Sequence, residues 1–298
     1  MTNSDSDELI KILTNAGVEG SEAKKEISIL ELEIKDKEKI KSIVDERIKT
    51  RTPIQYLIGK AYFMDFEVNV NPNVLIPRPE TEILVEEAVK KLLKYSILPP
   101  EARLARLAPR AERARGGNTQ YSVLDIGTGS GIIPIALAKL IPNVKITAID
   151  VNKEIIDLAY ENAKLNKVEQ KIDFKVCDLF SAGAEKLFAS GEFDLIISNP
   201  PYVKPQEMRK LKPEVYIHEP KIALCGSKEN KSGLIYYERI IKLVKKYQTI
   251  KLLAFEIDPP LIEDLKSLLK KENLNNFEIV KDYSKLDRCL FIYIPFVG

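Results

Sequence analysis

Ser122-Val123-Leu124-Asp125-Ile126-Gly127-Thr128-Gly129-Ser130-Gly131, running on into Ile132 through Leu140, decides the fold of this 298-residue chain. Ser122 to Ile126 reads as a strand, Gly127 to Gly131 as a turn and Ile132 to Leu140 as a helix. Strand, glycine turn, helix is the beginning of a nucleotide-type site. Glycine adopts positive φ and lets a ligand approach the backbone, and the helix start offers unpaired N–H groups. The dinucleotide fingerprint requires a third small residue at a fixed place. Counted from Gly127 and Gly129 that place holds Ile132, and counted from Gly129 and Gly131 it holds Pro134, so the pyrophosphate version fails. Lys145-Ile146-Thr147-Ala148-Ile149 reads as the next strand and ends at Asp150, whose carboxylate can accept from both hydroxyls of a ribose; capping the following helix is its alternative role. A third strand, Ile172 to Cys177, ends at Asp178-Leu179-Phe180, over the adenine end of such a ligand.

Further along, Phe193-Asp194-Leu195-Ile196-Ile197-Ser198 reads as a buried strand closed by Asn199-Pro200-Pro201-Tyr202. Ligands of open α/β sheets bind at the carboxyl ends of strands. Two adjacent prolines stiffen the turn and hold Asn199 extended, which leaves the Asn199 side-chain oxygen and the Pro200 carbonyl as fixed acceptors. An amino group conjugated to a carbonyl or an aromatic ring can bond both through its two hydrogens. Its nitrogen face then points at an electrophile, and Tyr202 is expected to cover its plane.

Together these residues resemble the class I methyltransferases that use S-adenosylmethionine, and more narrowly the HemK/PrmC family of protein-(glutamine-N5) methyltransferases acting on peptide chain release factors. Thr52-Pro53-Ile54-Gln55-Tyr56-Leu57-Ile58-Gly59 and Val74-Leu75-Ile76-Pro77-Arg78-Pro79-Glu80-Thr81-Glu82 are similar to that family's inter-domain segment, and Glu219-Pro220-Lys221-Ile222-Ala223-Leu224 to its post-catalytic loop. The resemblance implies a Rossmann-like, mostly parallel seven-stranded sheet with a small N-terminal helical domain joined by a β-hairpin. It implies that Gly127, Thr128, Gly129, Ser130, Gly131, Asp150, Asp178 and Leu179 face S-adenosylmethionine, later its product S-adenosylhomocysteine. Asn199 would face both cofactor and substrate, and Pro200, Pro201 and Tyr202 the substrate glutamine, with Asn199, Pro200 and Tyr202 as the catalytic set. Many members carry an aromatic residue where this chain has Leu179, so apolar packing replaces ring stacking there. The acceptor logic also suits an adenine-N6 DNA methyltransferase, and a non-catalytic S-adenosylmethionine-binding protein is a third class.

Composition bears on those alternatives. A formal charge of +2 gives no concentrated basic surface for nucleic acid. The polar, acidic opening, Met1 to Glu8, has neither the basic start nor the apolar core of a secretory signal, and no apolar run is long enough to span a bilayer, so a cytoplasmic location is expected. Cys177, Cys225 and Cys289 lack Cys-x-x-Cys spacing, and His218 is the sole histidine, which argues against a disulfide framework, a metal centre or a two-imidazole triad.

Length divides the chain near Pro77, and the resemblance implies a substrate-recognition domain with its connecting hairpin over 1–75 and a methyltransferase domain over 76–298. In the first, apolar residues at Leu9, Ile12 and Leu13, then Ala23, Ile27, Leu30 and Ile34, then Ile40, Ile43, Val44 and Ile48 are spaced as helical faces. Tyr62 to Val70 alternates as a strand and Asn71-Pro72-Asn73 is a turn, so a hairpin is expected to join the domains; Glu80-Thr81-Glu82 opens a helix, and Pro77 to Glu82 reads either as a wall over the cofactor or as a stiff linker with a helix start. Residues 99–120 are rich in Ala and Arg where the rest of the chain uses Lys, which reads as an exposed insertion. Ser232 to Tyr247 and Pro260 to Glu272 read as helices, Lys251 to Ile257 as a strand, and Phe277 to Val280 and Cys289 to Ile294 as closing strands, one of them antiparallel at the sheet edge.

Overall fold

The computed structural model of the chain describes residues 3–97, 120–247 and 250–294. The expected insertion, 99–120, lies outside the described residues except for Gln120. Helices α1 (Asn3–Asn15), α2 (Gly20–Glu33) and α3 (Lys37–Thr50) follow the apolar spacing of the sequence. The Asp36 carboxylate caps α3 by accepting from the backbone N–H groups of Glu38 and Lys39. Leu9, Leu13, Ala23, Ile27, Leu30, Ile40 and Val44 bury against one another and against Ile54 of the short helix α4 (Ile54–Ile58).

The expected hairpin forms, but its turn falls inside the Tyr62 to Val70 run and not at Asn71-Pro72-Asn73. It consists of two antiparallel strands, β1 (Lys60–Phe63) and β2 (Phe66–Asn69), joined at Met64-Asp65. Met64 takes φ 51°, a left-handed value that its side chain does not advertise. The tight turn sets Phe63 opposite Phe66, with ring centroids 5.7 Å apart at 70°. Both rings, with Val68, Val70 and Val74, bury in the same core as the large sheet. The hairpin is therefore packed with the sheet and the three leading helices keep a core of their own.

Helix α5 (Pro79–Ile97) leads toward strand β3 (Tyr121–Ile126), which feeds the glycine turn and helix α6 (Ile132–Leu140). There follow β4 (Val144–Asp150), α7 (Lys153–Leu165), β5 (Ile172–Val176), α8 (Ala182–Ser190) and β6 (Phe193–Ser198). After β6 come α9 (Pro213–His218), α10 (Lys221–Cys225), α11 (Ile235–Tyr247), β7 (Ile250–Glu256), α12 (Ile262–Lys271), β8 (Phe277–Lys281) and β9 (Asp287–Tyr293). The α11 helix begins at Ile235 and not Ser232; a 3-10 turn over Pro259–Leu261 precedes α12.

The strands form a seven-stranded sheet in the order β5-β4-β3-β6-β7-β9-β8. Side chains of β3, β6 and β7 alternate between two cores, one on each face: Val123, Leu195, Leu252 and Ala254 on one, Leu124, Ile196, Leu253 and Phe255 on the other. Helices on both faces explain why these parallel strands are almost continuously apolar. The antiparallel strand lies one place in from the edge. β9 pairs antiparallel with both β7 and β8, so the edge strand β8 runs with the parallel set. Burial accounts for the order: Cys289, Leu290, Phe291 and Ile292 of β9 are fully buried and need a neighbour on each side, whereas β8 is only half-covered. Among the described residues, no helix is long and apolar enough to cross a membrane.

Candidate active site

The chain winds outward from β3 through β4 to β5, then returns to lay β6 on the opposite side of β3. That reversal opens a crevice at the carboxyl ends of β3, β4 and β6. Ser198 Oγ donates to the Ile126 carbonyl at 2.7 Å, fastening the ends of β6 and β3. A cavity of about 460 Å³ lies there. It brings together Gly127, Thr128, Gly129, Ser130, Asp150, Asp178, Leu179, Asn199, Pro200 and Pro201. Gly131 and Tyr202 do not line it.

The loop geometry requires glycine. Gly127 and Gly129 have φ of 73° and 54°, and a Cβ on either would meet nothing within 4 Å, so their exposed faces leave room for a ligand against the backbone. Gly131 serves packing instead: at φ 85° it starts α6, and a Cβ there would stand 3.2 Å from the Ala159 Cβ. Asp150 Oδ2 accepts from Gly129 N–H at 3.0 Å and Oδ1 from Val151 N–H at 2.8 Å. Burial raises the Asp150 pKa, and these backbone N–H groups pull against it. The helix cap is Asn152, whose side chain accepts from Glu154 N–H, so Asp150 is free of that duty. Asn162, wholly buried, ties the loop to the hairpin by donating to the Ser130 and Asn69 carbonyls and accepting from Asn69 N–H.

Asp125, one residue before the end of β3, was missed by the sequence argument. Its carboxylate is fully buried and has no hydrogen-bond partner among the described residues; the buried Thr128 hydroxyl lacks one as well. Burial pushes the Asp125 pKa up to about 7, with the adjacent Thr128 hydroxyl opposing the rise. An orphaned carboxylate beneath an open glycine loop, beside a second carboxylate, fits a ligand that carries positive charge and a ribose.

Leu179 is nearly buried and lines the cavity with Phe180, whose ring meets Tyr236 edge-to-face with centroids 5.5 Å apart. Asp178 Oδ1 accepts from Phe180 N–H at 2.9 Å, so its carboxylate shapes this turn. The aromatic surface at this end thus comes from Phe180 and Tyr236, one and 57 positions beyond Leu179.

At the other end, Asn199 Nδ2 donates to Thr81 Oγ1 at 3.3 Å, and no hydrogen bond to Asn199 Oδ1 or to the Pro200 carbonyl occurs among the described residues. Both expected acceptors are open. Buried Asn230 holds the turn by donating to the Pro201 and Cys225 carbonyls at 3.1 and 3.0 Å. Tyr202 is set differently from the expectation. It packs into the core beneath the sheet's second face, and its hydroxyl lies 3.5 Å from Glu256 Oε1, away from the cavity. The carbonyl of Tyr202 would be 2.7 Å from a Cβ at Gly233, which helps fix this backbone path.

The walls are built from both ends of the chain. Residues 73–78 and Thr81 form one side, as expected for the segment before α5, and Ile222, Ala223, Gly226, Ser227 and Glu229 the other. Arg78 Nη2 grips both oxygens of buried Glu219 at 2.6 and 2.7 Å and joins the two walls. The leading helices reach the same wall through α9. Buried Arg47 pairs with Glu26 at 3.2 Å and Glu214 at 3.3 Å, Arg51 with Glu214 at 3.0 Å, and His218 Nε2 lies 2.9 Å from the Thr50 carbonyl.

A family profile described as "Methyltransferase small domain" matches residues 112–224. The release factor glutamine methyltransferase of Thermodesulfovibrio yellowstonii is 36% identical over 254 residues, spanning 85% of this chain and 80% of that protein. Those of Chlorobaculum tepidum and Flavobacterium psychrophilum are 34% and 37% identical, over 87% and 82% of this chain and 80% and 76% of theirs. Among solved structures, human methyltransferase 10 domain containing protein has a TM-score of 0.52 at 14% identity, covering 76% of this chain and 87% of its own. The N-terminal domain of human METTL16 in complex with SAH has a TM-score of 0.51 at 15% identity, over 76% of this chain and 75% of its own. Those two likenesses are likenesses of fold.

Proposed function

The chain belongs to the release factor glutamine methyltransferase family, and on that premise we propose how its own residues serve the transfer of a methyl group from S-adenosylmethionine to the side-chain amide nitrogen of a release-factor glutamine. The observation that carries the reading is the meeting, in one cavity, of an open glycine loop with the Asp150 and Asp178 carboxylates and the two free acceptors at Asn199 and Pro200.

S-adenosylmethionine bound there supplies an electrophilic methyl group. Gly127 to Ser130 provide backbone to lie against, Asp150 accepts from ribose hydroxyls, and Asp178, Leu179 and Phe180 enclose the adenine end. Asn199 Oδ1 and the Pro200 carbonyl accept the two amide hydrogens of the glutamine. An amide nitrogen is a poor nucleophile because its lone pair is delocalised, so orientation and alignment are the main contribution, on the order of 7 kcal/mol or more when effective molarity is high. The apolar walls exclude water, which leaves the cationic donor less stabilised before it reacts. Residues 1–75, with no chemistry of their own, select the protein substrate in the cytoplasm through a surface larger than one glutamine.

Incubation with a labelled methyl donor and unmethylated release factor should place the label on glutamine. Label in duplex DNA, or none, would overturn the reading. Asp150→Ala should weaken S-adenosylmethionine binding about tenfold or more, because each charge-assisted bond contributes roughly 1.5–3 kcal/mol; an unchanged dissociation constant by calorimetry would contradict the ribose role. The hairpin packs in the sheet's core, so the informative truncation removes 1–58 and keeps β1 and β2. That shortened chain should bind S-adenosylmethionine normally and methylate intact release factor with a KM raised about tenfold, as expected when remote uniform binding is lost. Equal kcat/KM would sink the recognition role of the leading helices.

A further inference from the structure

Asn199 can act as an acceptor only if its amide is held one way round, because Oδ1 and Nδ2 occupy equivalent positions and a flipped amide would offer two donors to the substrate. The device that sets it lies outside the cavity's reacting edge. Thr81, in the first turn of α5, is 1% exposed, and Glu256, the last residue of β7, is 2% exposed. Thr81 Oγ1 lies 2.6 Å from Glu256 Oε2 and 3.3 Å from Asn199 Nδ2. A hydroxyl has one proton. When the Glu256 carboxylate takes it, Thr81 can only accept from Asn199, so Nδ2 is drawn inward and Oδ1 is turned to the cavity.

We propose that Thr81 and Glu256 are positioning residues that fix the polarity of the Asn199 amide, passing the acceptor character of a buried carboxylate through a hydroxyl to the substrate edge. The inference rests on the substrate role proposed for Asn199. Neither Thr81 nor Glu256 touches the reacting atoms. Thr81 Oγ1 donates to Glu256, and among the described residues it donates to no backbone carbonyl. Among the described residues, the other hydrogen bond to the Glu256 carboxyl comes from the Tyr202 hydroxyl at 3.5 Å.

Protonation of Glu256 reverses the chain. A carboxylic acid donates to Thr81, the Thr81 proton is released toward Asn199, and the amide is free to turn its Nδ2 to the substrate. Burial pushes the Glu256 pKa up to about 7, aided by Glu80 of α5 and opposed by Thr81, by Arg288 of β9 and by Arg78. Tyr202, Tyr237 and Cys289, whose own pKa values Glu256 raises, complete the titratable groups that face it. Turnover should therefore rise with pH through the neutral range.

The test compares Thr81→Val, Thr81→Ser and Glu256→Gln with Asn199→Ala, measuring kcat, the KM for release factor, cofactor affinity and the pH profile. Thr81→Val should lower kcat tenfold or more with cofactor affinity within twofold of wild type, and Thr81→Ser should restore at least half of the wild-type kcat. Glu256→Gln, which has no titrating group, should lose the acidic limb of the profile. A Thr81→Val enzyme with wild-type kcat overturns the proposal, and so does a Thr81→Ser enzyme as slow as Thr81→Val. If Thr81→Val does not fold, Glu256→Gln decides: an acidic limb of kcat, measured at saturating S-adenosylmethionine, that persists unchanged overturns the proposal. Should Asn199→Ala itself remain active, the parent reading of Asn199 fails; an inactive Asn199→Ala beside a fully active Thr81→Val fails this inference alone.

Discussion

Asn199→Ala is expected to lower turnover on release factor by about a hundredfold or more while leaving S-adenosylmethionine affinity within about tenfold, the scale set by loss of one preorganised polar contact. Asn199 is held by a donor bond from Nδ2 to Thr81 and by the extended backbone that Pro200 imposes. The substrate amide would otherwise retain only the Pro200 carbonyl, one acceptor for two hydrogens, and could rotate its lone pair away from the methyl group. The residues proposed to hold the cofactor, 127–130 and Asp150, follow different strands and are untouched by the change. Single-turnover kinetics, which isolate the transfer from product release, would expose the loss; an unaltered rate would remove Asn199 from the reaction.

Asp125→Asn is expected to stabilise the ligand-free protein at pH 8 and to do so progressively less as the pH falls to 4. Burial pushes the wild-type carboxyl from an ordinary 3.8 up to about 7, with the Thr128 hydroxyl opposing the rise and Asp150 adding to it. Below the unfolded pKa both states are protonated and there is no penalty. As the pH rises, the unfolded chain releases its proton while the folded one holds it, so folding loses stability until the folded group also ionises near pH 7. Three units correspond to roughly 4 kcal/mol, and asparagine does not titrate, so the stability gap between variant and wild type should widen by about that much across the interval. Urea unfolding at several pH values measures it. A pH-independent gap would mean that Asp125 is compensated in the folded protein. The same variant should bind S-adenosylmethionine more weakly, since a buried carboxylate that costs stability in the free protein is worth keeping only for a cationic ligand.

Much of this was legible in the chain, for identifiable reasons. Ile132 to Leu140 is the helix its apolarity suggests, and the strand ends at Asp150 and Ser198 stand where the runs break, since alternation and punctuation are local signals. Local signals also had limits. Met64 at positive φ carries no glycine or asparagine mark, so the sequence placed the hairpin turn at Asn71-Pro72-Asn73 instead. Helices α9 and α10, six and five residues long, are too short to show a period. The position of β9 inside β8 depends on pairing across the sheet, and Tyr202 turned inward because a buried carboxyl on a neighbouring strand waits for it. Asn162, Asn230, Thr81 and Glu256 are ordinary polar letters until their distant partners are known, and Asp125 until its burial is. Asn162 and Ser130 are 32 positions apart, Thr81 and Glu256 175.

The Arg47 clamp has a consequence in time. Its two carboxylates are made at very different moments during synthesis: Glu26 precedes Arg47 by 21 residues, and Glu214 follows it by 167. At about 5–20 residues per second, the interval to Glu214 is roughly 8 to 33 s. Through that interval the nascent helices hold a guanidinium with one counter-charge, and Glu26 Oε2 has no hydrogen-bond partner among the described residues of the folded chain. The leading helices therefore reach their final stability only once the segment behind the Asn199 turn has left the ribosome, which makes the earliest part of the chain wait for one of the later ones.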